Sequence, residues 1–113
     1  MKVSRRGMDL ARQRLEGGDS IQRSYDGQLD GFGGMLAISR RKLLFVHEKG
    51  FLRKSYELIL DLQYMNIGSI TTEGRYRMVI EEVDGRKHRF ETVGLPINVV
   101  DSSIAEFRSK IIA

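Results

Sequence analysis

The sequence of 113 residues contains no cysteine and only two histidines. Without cysteine the chain can form no disulfide, no thiolate metal site and no cysteine nucleophile. Long apolar runs are also missing, because the longest of them, such as residues 43–46, are far too short to span a bilayer. The basic start of the chain is not followed by the apolar core of a signal peptide, since Asp9, Arg12 and Arg14 interrupt it. We therefore expect a cytoplasmic protein.

The two histidines, His47 and His88, stand at strand positions with no short carboxylate spacing around them. The chain has no H-x-x-x-H pair, so a metal site would require distant carboxylates to converge. His88 shares a strand face with Phe90, which predicts a partly buried core histidine. The glycine-rich residues 31–34 lack the Gly-Lys-Ser/Thr continuation of a phosphate loop. The sequence therefore predicts a protein that is not an enzyme and uses no cofactor or metal.

The composition is that of one ordinary globular domain. Apolar residues make up 41% of the chain and charged residues 30%, so global disorder is excluded. The length suits a single domain and leaves little room for a second one. The net charge of +4 is a mild basic excess, which is compatible with anionic partners but does not require them.

Two changes of hydrophobic period divide the chain. Residues 8–15 are good helix formers and predict a short helix, which Gly17 and Gly18 end. From Ile21 onward the period is that of β-strands, and the glycines and aspartates of residues 26–34 predict a loop within this region. Strands are predicted at residues 21–25, 35–39, 42–47, 51–60, 67–72, 76–81 and 86–91.

Two parts of this region carry more specific predictions. In residues 51–60 the alternation places Tyr56, Leu58 and Leu60 on one face. The last two strands flank Asp84-Gly85, a pair that tolerates positive φ and therefore predicts a two-residue hairpin turn of type I′.

After Pro96 the period becomes that of an amphipathic helix, with Asn98 as its predicted N-cap. Spacings of four, three and four residues place one apolar stripe along this helix: Val100, Ile104, Phe107 and Ile111. Such a stripe predicts a helix that covers an apolar opening.

About seven antiparallel strands followed by one amphipathic helix resemble the order of a pleckstrin-homology-like (PH-like) barrel. Residues 34–45, G-M-L-A-I-S-R-R-K-L-L-F, are similar to the strand–turn–strand segment of prokaryotic or archaeal PH-like and GRAM-type domains. The resemblance implies two orthogonal sheets with one open end that the terminal helix plugs. It also implies an N-terminal helical extension at residues 1–18 and a PH-like domain at residues 19–113. The chain departs from eukaryotic PH domains in having no tryptophan in the last helix.

Many lipid-binding PH domains hold inositol phosphates with basic residues in and beside their first interstrand loop. Here residues 26–34 contain two aspartates and no basic residue, so the resemblance does not carry that site over. Basic residues cluster instead at three later turns: Arg40, Arg41 and Lys42; Lys49, Arg53 and Lys54; Arg86, Lys87 and Arg89. They form a patch for membrane phosphates or an acidic partner only if several of these turns lie at one end of the barrel.

The sequence favours a non-catalytic binding module that acts through protein–protein interaction or self-association, because PH-like barrels keep an exposed sheet edge. The alternative is binding to an anionic membrane surface through the basic turns. Nucleic acid is disfavoured, because most aromatic residues stand at core positions and are not free to stack on bases. The N-terminal helix has too little apolar surface to bind a membrane alone, so we expect it to pack across a barrel edge or to pair in an oligomer.

Overall fold

The computed structural model describes residues 5–112 of the chain. Helix α1 (Arg5–Arg12) comes first, seven strands follow, and helix α2 (Ile97–Ile112) comes last. The strands are β1 (Ile21–Leu29), β2 (Phe32–Ser39), β3 (Lys42–Lys49), β4 (Ser55–Gln63), β5 (Ile67–Glu73), β6 (Arg77–Glu82) and β7 (Lys87–Thr92). A single 3₁₀ turn, Tyr64–Asn66, joins β4 to β5. The mainly β prediction with seven strands and two helices is confirmed.

All seven strands belong to one antiparallel sheet in the order β4-β3-β2-β1-β7-β6-β5. β1 pairs with β2 along nearly its whole length, but with β7 only through the last three residues, Gly27 to Leu29. Within the described residues β4 and β5 do not pair with each other, so the sheet is not closed. The barrel prediction is therefore confirmed only in part.

The main core is enclosed between the sheet and α2. Residues from all seven strands contribute to it, and the rings of Phe45 and Phe90 meet edge to face at 6.2 Å between centroids. Helix α2 contributes four buried side chains: Ile97, Val100, Ile104 and Phe107. The predicted apolar stripe is thus shifted by one turn, because Ile97 is buried and Ile111 is 42% exposed. The predicted N-cap is wrong, since α2 begins directly after Pro96 and Asn98 lies within its first turn.

A second core lies on the other face of β2 and β3. Ala11 of α1 is fully buried there, with side chains of β2 and β3: Met35, Ala37, Leu44 and Val46. Helix α1 begins and ends earlier than predicted. It ends at Arg12 because hydrogen bonds from Arg14 N to Ala11 O and from Leu15 N to Arg12 O tighten the following residues into a turn. Helix α2 covers one face of β2 and β3, and α1 covers the other. Both strands therefore carry continuous apolar runs in place of the usual alternation of apolar and polar residues.

The loop predicted at residues 26–34 is wrong, because β1 continues to Leu29 and β2 begins at Phe32. Gly34 lies inside a strand, where an added Cβ atom would stand 1.9 Å from the backbone oxygen of Val46. Glycine is required there for the close approach of two backbones and not for a turn. Only Asp30 and Gly31 form the connection, with φ values of 50° and 87° that suit a type I′ turn.

The predicted type I′ turn at Asp84-Gly85 is also wrong. Of the residues described, Asp30 is the only non-glycine with positive φ, so Asp84 does not meet the requirement of that turn. Glu82 N donates at 2.8 Å to the oxygen of Arg86, the residue just before β7, which leaves three residues between this pair as the hairpin connection. Within it Gly85 N donates to Glu82 O at 2.9 Å, and Gly85 has a φ of 95°. A type I turn followed by a left-handed glycine is the usual geometry of such loops.

The face predicted for Tyr56, Leu58 and Leu60 in β4 is wrong because of a β-bulge. Val46 pairs with Leu58 and Phe45 pairs with Leu60, which leaves Ile59 as the extra residue. A shift of one residue exchanges the two faces of a strand. Leu60 therefore joins the main core, whereas Tyr56 and Leu58 pack on the core beneath α1.

Candidate functional site

The nine basic residues singled out in the sequence do not form one patch. The turn that holds Arg40 and Arg41 precedes β3, whereas Lys49 ends β3 and the loop with Arg53 and Lys54 follows it. From Lys42 to Lys49 the strand spans about 23 Å at 3.3 Å per residue. Two of the three basic turns therefore lie at opposite ends of the sheet.

Lys42 does not belong to the surface. Its side chain is only 8% exposed, and Nζ lies 3.0 Å from the Asp61 carboxylate and donates to the carbonyl oxygen of Arg14 at 2.8 Å. Arg14 adds a second ion pair to Asp61 at 3.1 Å. Lys42 therefore ties the segment after α1 to β4, and it is not available to an external ligand.

Carboxylates accompany the cations of the β6–β7 hairpin. Arg86 lies 2.9 Å from Asp84 and 3.4 Å from Glu82, and the backbone amide of Arg86 lowers the pKa of the Asp84 carboxyl. Lys87 and Arg89 are exposed. His88 is partly buried, as its strand position suggests, and its Nε2 lies 2.6 Å from a Glu82 oxygen. The third basic turn is thus a mixed-charge surface.

The loop between β3 and β4 presents two adjacent apolar side chains to solvent. Phe51 and Leu52 are 90% and 91% exposed, and we call this pair the apolar tip. Gly50 makes the turn possible, because its φ is +90° and an added Cβ atom would stand 2.2 Å from Arg53 O. The sequence pattern assigned Phe51 to a strand, but β4 begins only at Ser55.

Cations surround the apolar tip. Lys49 lies 3.2 Å from Glu57, and Lys54 lies 2.9 Å from Glu48, whose hydrogen bond raises the pKa of Lys54. Arg53 is exposed and forms no ion pair within residues 5–112. Within the β3–β4 hairpin the three cations thus exceed the two carboxylates by one.

Two further side chains extend this end of the sheet. Phe32 follows the β1–β2 turn, is 51% exposed and contacts the ring of His47 at 5.2 Å. The guanidinium of Arg6 lies 5.8 Å above the ring of Tyr56, which pairs with Glu48 near the end of β3. One end of the molecule thus combines exposed apolar rings with basic groups.

Arg40 and Arg41 line a groove of about 520 Å³ at the other end of β3. Two cations that the sequence analysis did not single out, Arg23 from β1 and Lys110 from α2, line the same groove. We call these four residues the basic groove. No local signal in the sequence could have identified it, because its members come from three segments that only the folded topology brings together.

Residues 5–112 contain no group of three or more His, Cys, Asp or Glu side chains arranged to hold a metal ion. Neither α1 nor α2 is long and apolar enough to cross a membrane.

No family model and no curated protein matches the chain. Among solved structures it is similar to the crystal structure of the C-terminal domain of an unknown protein from Leishmania infantum, with a TM-score of 0.59. The alignment covers 88% of this chain and 95% of that domain at 13% sequence identity, so it shows the fold alone. The resemblance to PH-like and GRAM-type domains therefore stays a prediction.

Proposed function

We propose that this chain is a binding module that docks on anionic membrane surfaces through its apolar tip. The observation that carries the proposal is the exposure of Phe51 and Leu52, adjacent large apolar side chains on a loop with Lys49, Arg53 and Lys54. Exposed apolar residues beside cations suit an interface where hydrocarbon lies directly below anionic headgroups. The structure thus favours the alternative of the sequence analysis over its first choice.

The energies of the two contributions are of the right size for reversible binding. Full burial of a phenylalanine or leucine side chain contributes about 1.5–3 kcal/mol. A lysine or arginine close to an anionic surface contributes about 1 kcal/mol, and this part weakens as salt increases. Since neither contribution anchors a protein by itself, apolar insertion and charge have to act together.

The double variant Phe51→Ser/Leu52→Ser is expected to weaken vesicle binding by about 100-fold, because it removes both inserted side chains. Arg53→Glu is expected to weaken it by roughly tenfold and to reduce its salt dependence. Co-sedimentation with vesicles of phosphatidylcholine and phosphatidylserine measures both effects, with pure phosphatidylcholine vesicles as the uncharged reference.

Met65→Ser is the matched control for the apolar tip. Met65 is 65% exposed and lies in the 3₁₀ turn after β4, away from the β3–β4 loop. This variant should bind vesicles as the wild type does. If the wild type fails to sediment with anionic vesicles, or if Met65→Ser loses as much binding as the double variant, the proposal is wrong.

The edge of β5 favours self-association as a second candidate function. Glu73 is the only charged residue in β5, whereas β4 at the opposite edge carries Glu57 and Asp61, and each of the two pairings contains one shift of register. Charges protect sheet edges against pairing, so β5 is protected less by charge than β4 is. Antiparallel pairing of β5 with β5 of a second copy would extend the sheet across a two-fold axis.

Thr71→Lys is expected to abolish such a dimer, because it places a charge on the exposed β5 edge. Light scattering coupled to size-exclusion chromatography should give the mass of a dimer for the wild type and that of a monomer for the variant. Ser109→Lys, at an exposed position of α2, is the charge-matched control and should remain dimeric. A wild type that is monomeric at all concentrations would rule this candidate out.

A further inference from the structure

The basic groove lies at the opposite end of β3 from the apolar tip. The start of β1, the β2–β3 turn and the C-terminal half of α2 form its walls. Arg23, Arg40, Arg41 and Lys110 line it together with a single carboxylate, that of Glu106. The position matters because a ligand in this groove leaves the apolar tip free.

The four cations are not neutralised within the molecule. The guanidinium of Arg40 has no ion pair or hydrogen bond among the described residues, and that of Arg23 donates to the backbone oxygen of Gln22 at 2.8 Å. Arg41 lies 3.8 Å from Glu16, but both side chains are more than half exposed, so water weakens this pair. The groove therefore retains a net positive charge that an anionic ligand can neutralise.

The turn that carries two of these arginines is held rigidly. One oxygen of Asp19 accepts a hydrogen bond from Arg40 N at 2.9 Å, and the other accepts one from Ser39 Oγ at 2.8 Å. Behind the turn the buried hydroxyl of Tyr64 donates to Ser39 O at 2.5 Å, and burial raises the pKa of this phenol above its ordinary value. A site that is fixed before binding loses less entropy when a ligand arrives.

The groove also has an apolar strip. Phe107 and Ile111 both line the groove. Lys110 Nζ lies 5.1 Å from the centre of the Phe107 ring, and Ile111 is 42% exposed. A neighbouring hollow shares Arg41 and Ile111 with the groove, and it also contains Met65 and the carboxylates of Glu16 and Asp19. The combination of cations with an exposed aliphatic side chain is therefore confined to the groove itself.

We propose that the basic groove binds an acidic segment of a partner protein, in which carboxylates lie next to aliphatic side chains. The combination of Arg40 and Lys110 with Ile111 matches such a segment in charge and in apolar character. Nucleic acid fits less well, because base stacking requires exposed rings and Phe107 is only 6% exposed. A domain with both surfaces would connect a membrane to an acidic protein, but the groove does not depend on the membrane proposal.

A fluorescein-labelled peptide of alternating glutamate and leucine is the probe, and fluorescence anisotropy with the full chain is the readout. The wild type should bind this peptide with an affinity that falls as salt increases, and it should not bind the same peptide with glutamine in place of glutamate. Arg40→Glu/Lys110→Glu should weaken binding by about 100-fold, roughly tenfold for each reversed charge. Both side chains are exposed, so the melting curve should remain that of the wild type.

Arg53→Glu/Lys87→Glu is the control with the same change in net charge, made at exposed positions outside the groove. It should keep peptide binding, whereas the groove variant should keep vesicle binding, so each proposal can fail without the other. The inference is overturned by an equal loss in both double variants, by no binding of the acidic peptide, or by tighter binding of tripolyphosphate or a single-stranded oligonucleotide.

Discussion

Gly34→Ala will destabilise the protein by about 3 kcal/mol or more, which for a domain of this size lowers the melting temperature by on the order of 10 °C. The added Cβ atom would stand 1.9 Å from Val46 O, 2.9 Å from Val46 C and 3.0 Å from His47 Cα. All three are backbone atoms, so no side-chain rotation can relieve the clash. β2 and β3 must separate at this point, where Gly34 pairs with His47.

Gly33→Ala provides the matched control one position earlier in the same strand. An added Cβ atom at Gly33 meets nothing within 4 Å, and its φ is not positive. This variant should melt within a few degrees of the wild type, since alanine also costs less entropy on folding than glycine does. Thermal unfolding followed by circular dichroism compares the two. Equal melting temperatures for both variants would show that β2 and β3 do not approach as closely as the structure indicates.

These two glycines also show why part of the fold could not be predicted from the sequence. The run of glycines and aspartates in residues 26–34 has the composition of a loop, yet only Asp30 and Gly31 form a turn. Glycine serves both for positive φ and for close contact between backbones, and local sequence does not distinguish the two uses. Gly27 is a second case, because its added Cβ atom would lie 2.2 Å from Glu91 O on β7. Strand number and helix period were predictable because they depend on local patterns of apolar residues and on the turn residues between them.

The same limit applies to the candidate surfaces. Arg40 and Arg41 were identified as basic from the sequence, but Lys42 was grouped with them although Asp61 neutralises it from β4. Pairing across strands is a long-range property, and a run of cations in sequence does not reveal it. The apolar tip did have a local signal that the strand pattern masked: Gly50 before Phe51-Leu52 and two cations after it. A turn-forming glycine followed by apolar residues also marks the start of a strand, so this signal does not decide between the two.

Ala11→Asp will destabilise the protein by several kcal/mol, although it lies in the segment that the sequence analysis treated as an extension. Ala11 is fully buried in the core formed with Met35, Leu44 and Val46. Burial of an unpaired carboxylate among apolar side chains is among the most unfavourable changes that a single substitution can make. Gln13→Asp, at an exposed position just after α1, is the control and should change the stability by about 0.5 kcal/mol or less. Urea unfolding of both variants measures the difference.

Deletion of residues 1–18 tests the packing of α1 on β2 and β3 by removing the whole helix. It uncovers the apolar face of β2 and β3 and removes the carbonyl oxygen of Arg14 that accepts a hydrogen bond from Lys42. An uncovered apolar sheet face favours association, so the truncated chain should bind the dye ANS and elute as aggregates. Because β2 and β3 are buried on both faces only while α1 is present, we expect the helix to fold together with the sheet as one domain. A truncated chain that stays monomeric with the melting temperature of the full chain would instead make residues 19–113 an independent domain, and Ala11→Asp should then be harmless.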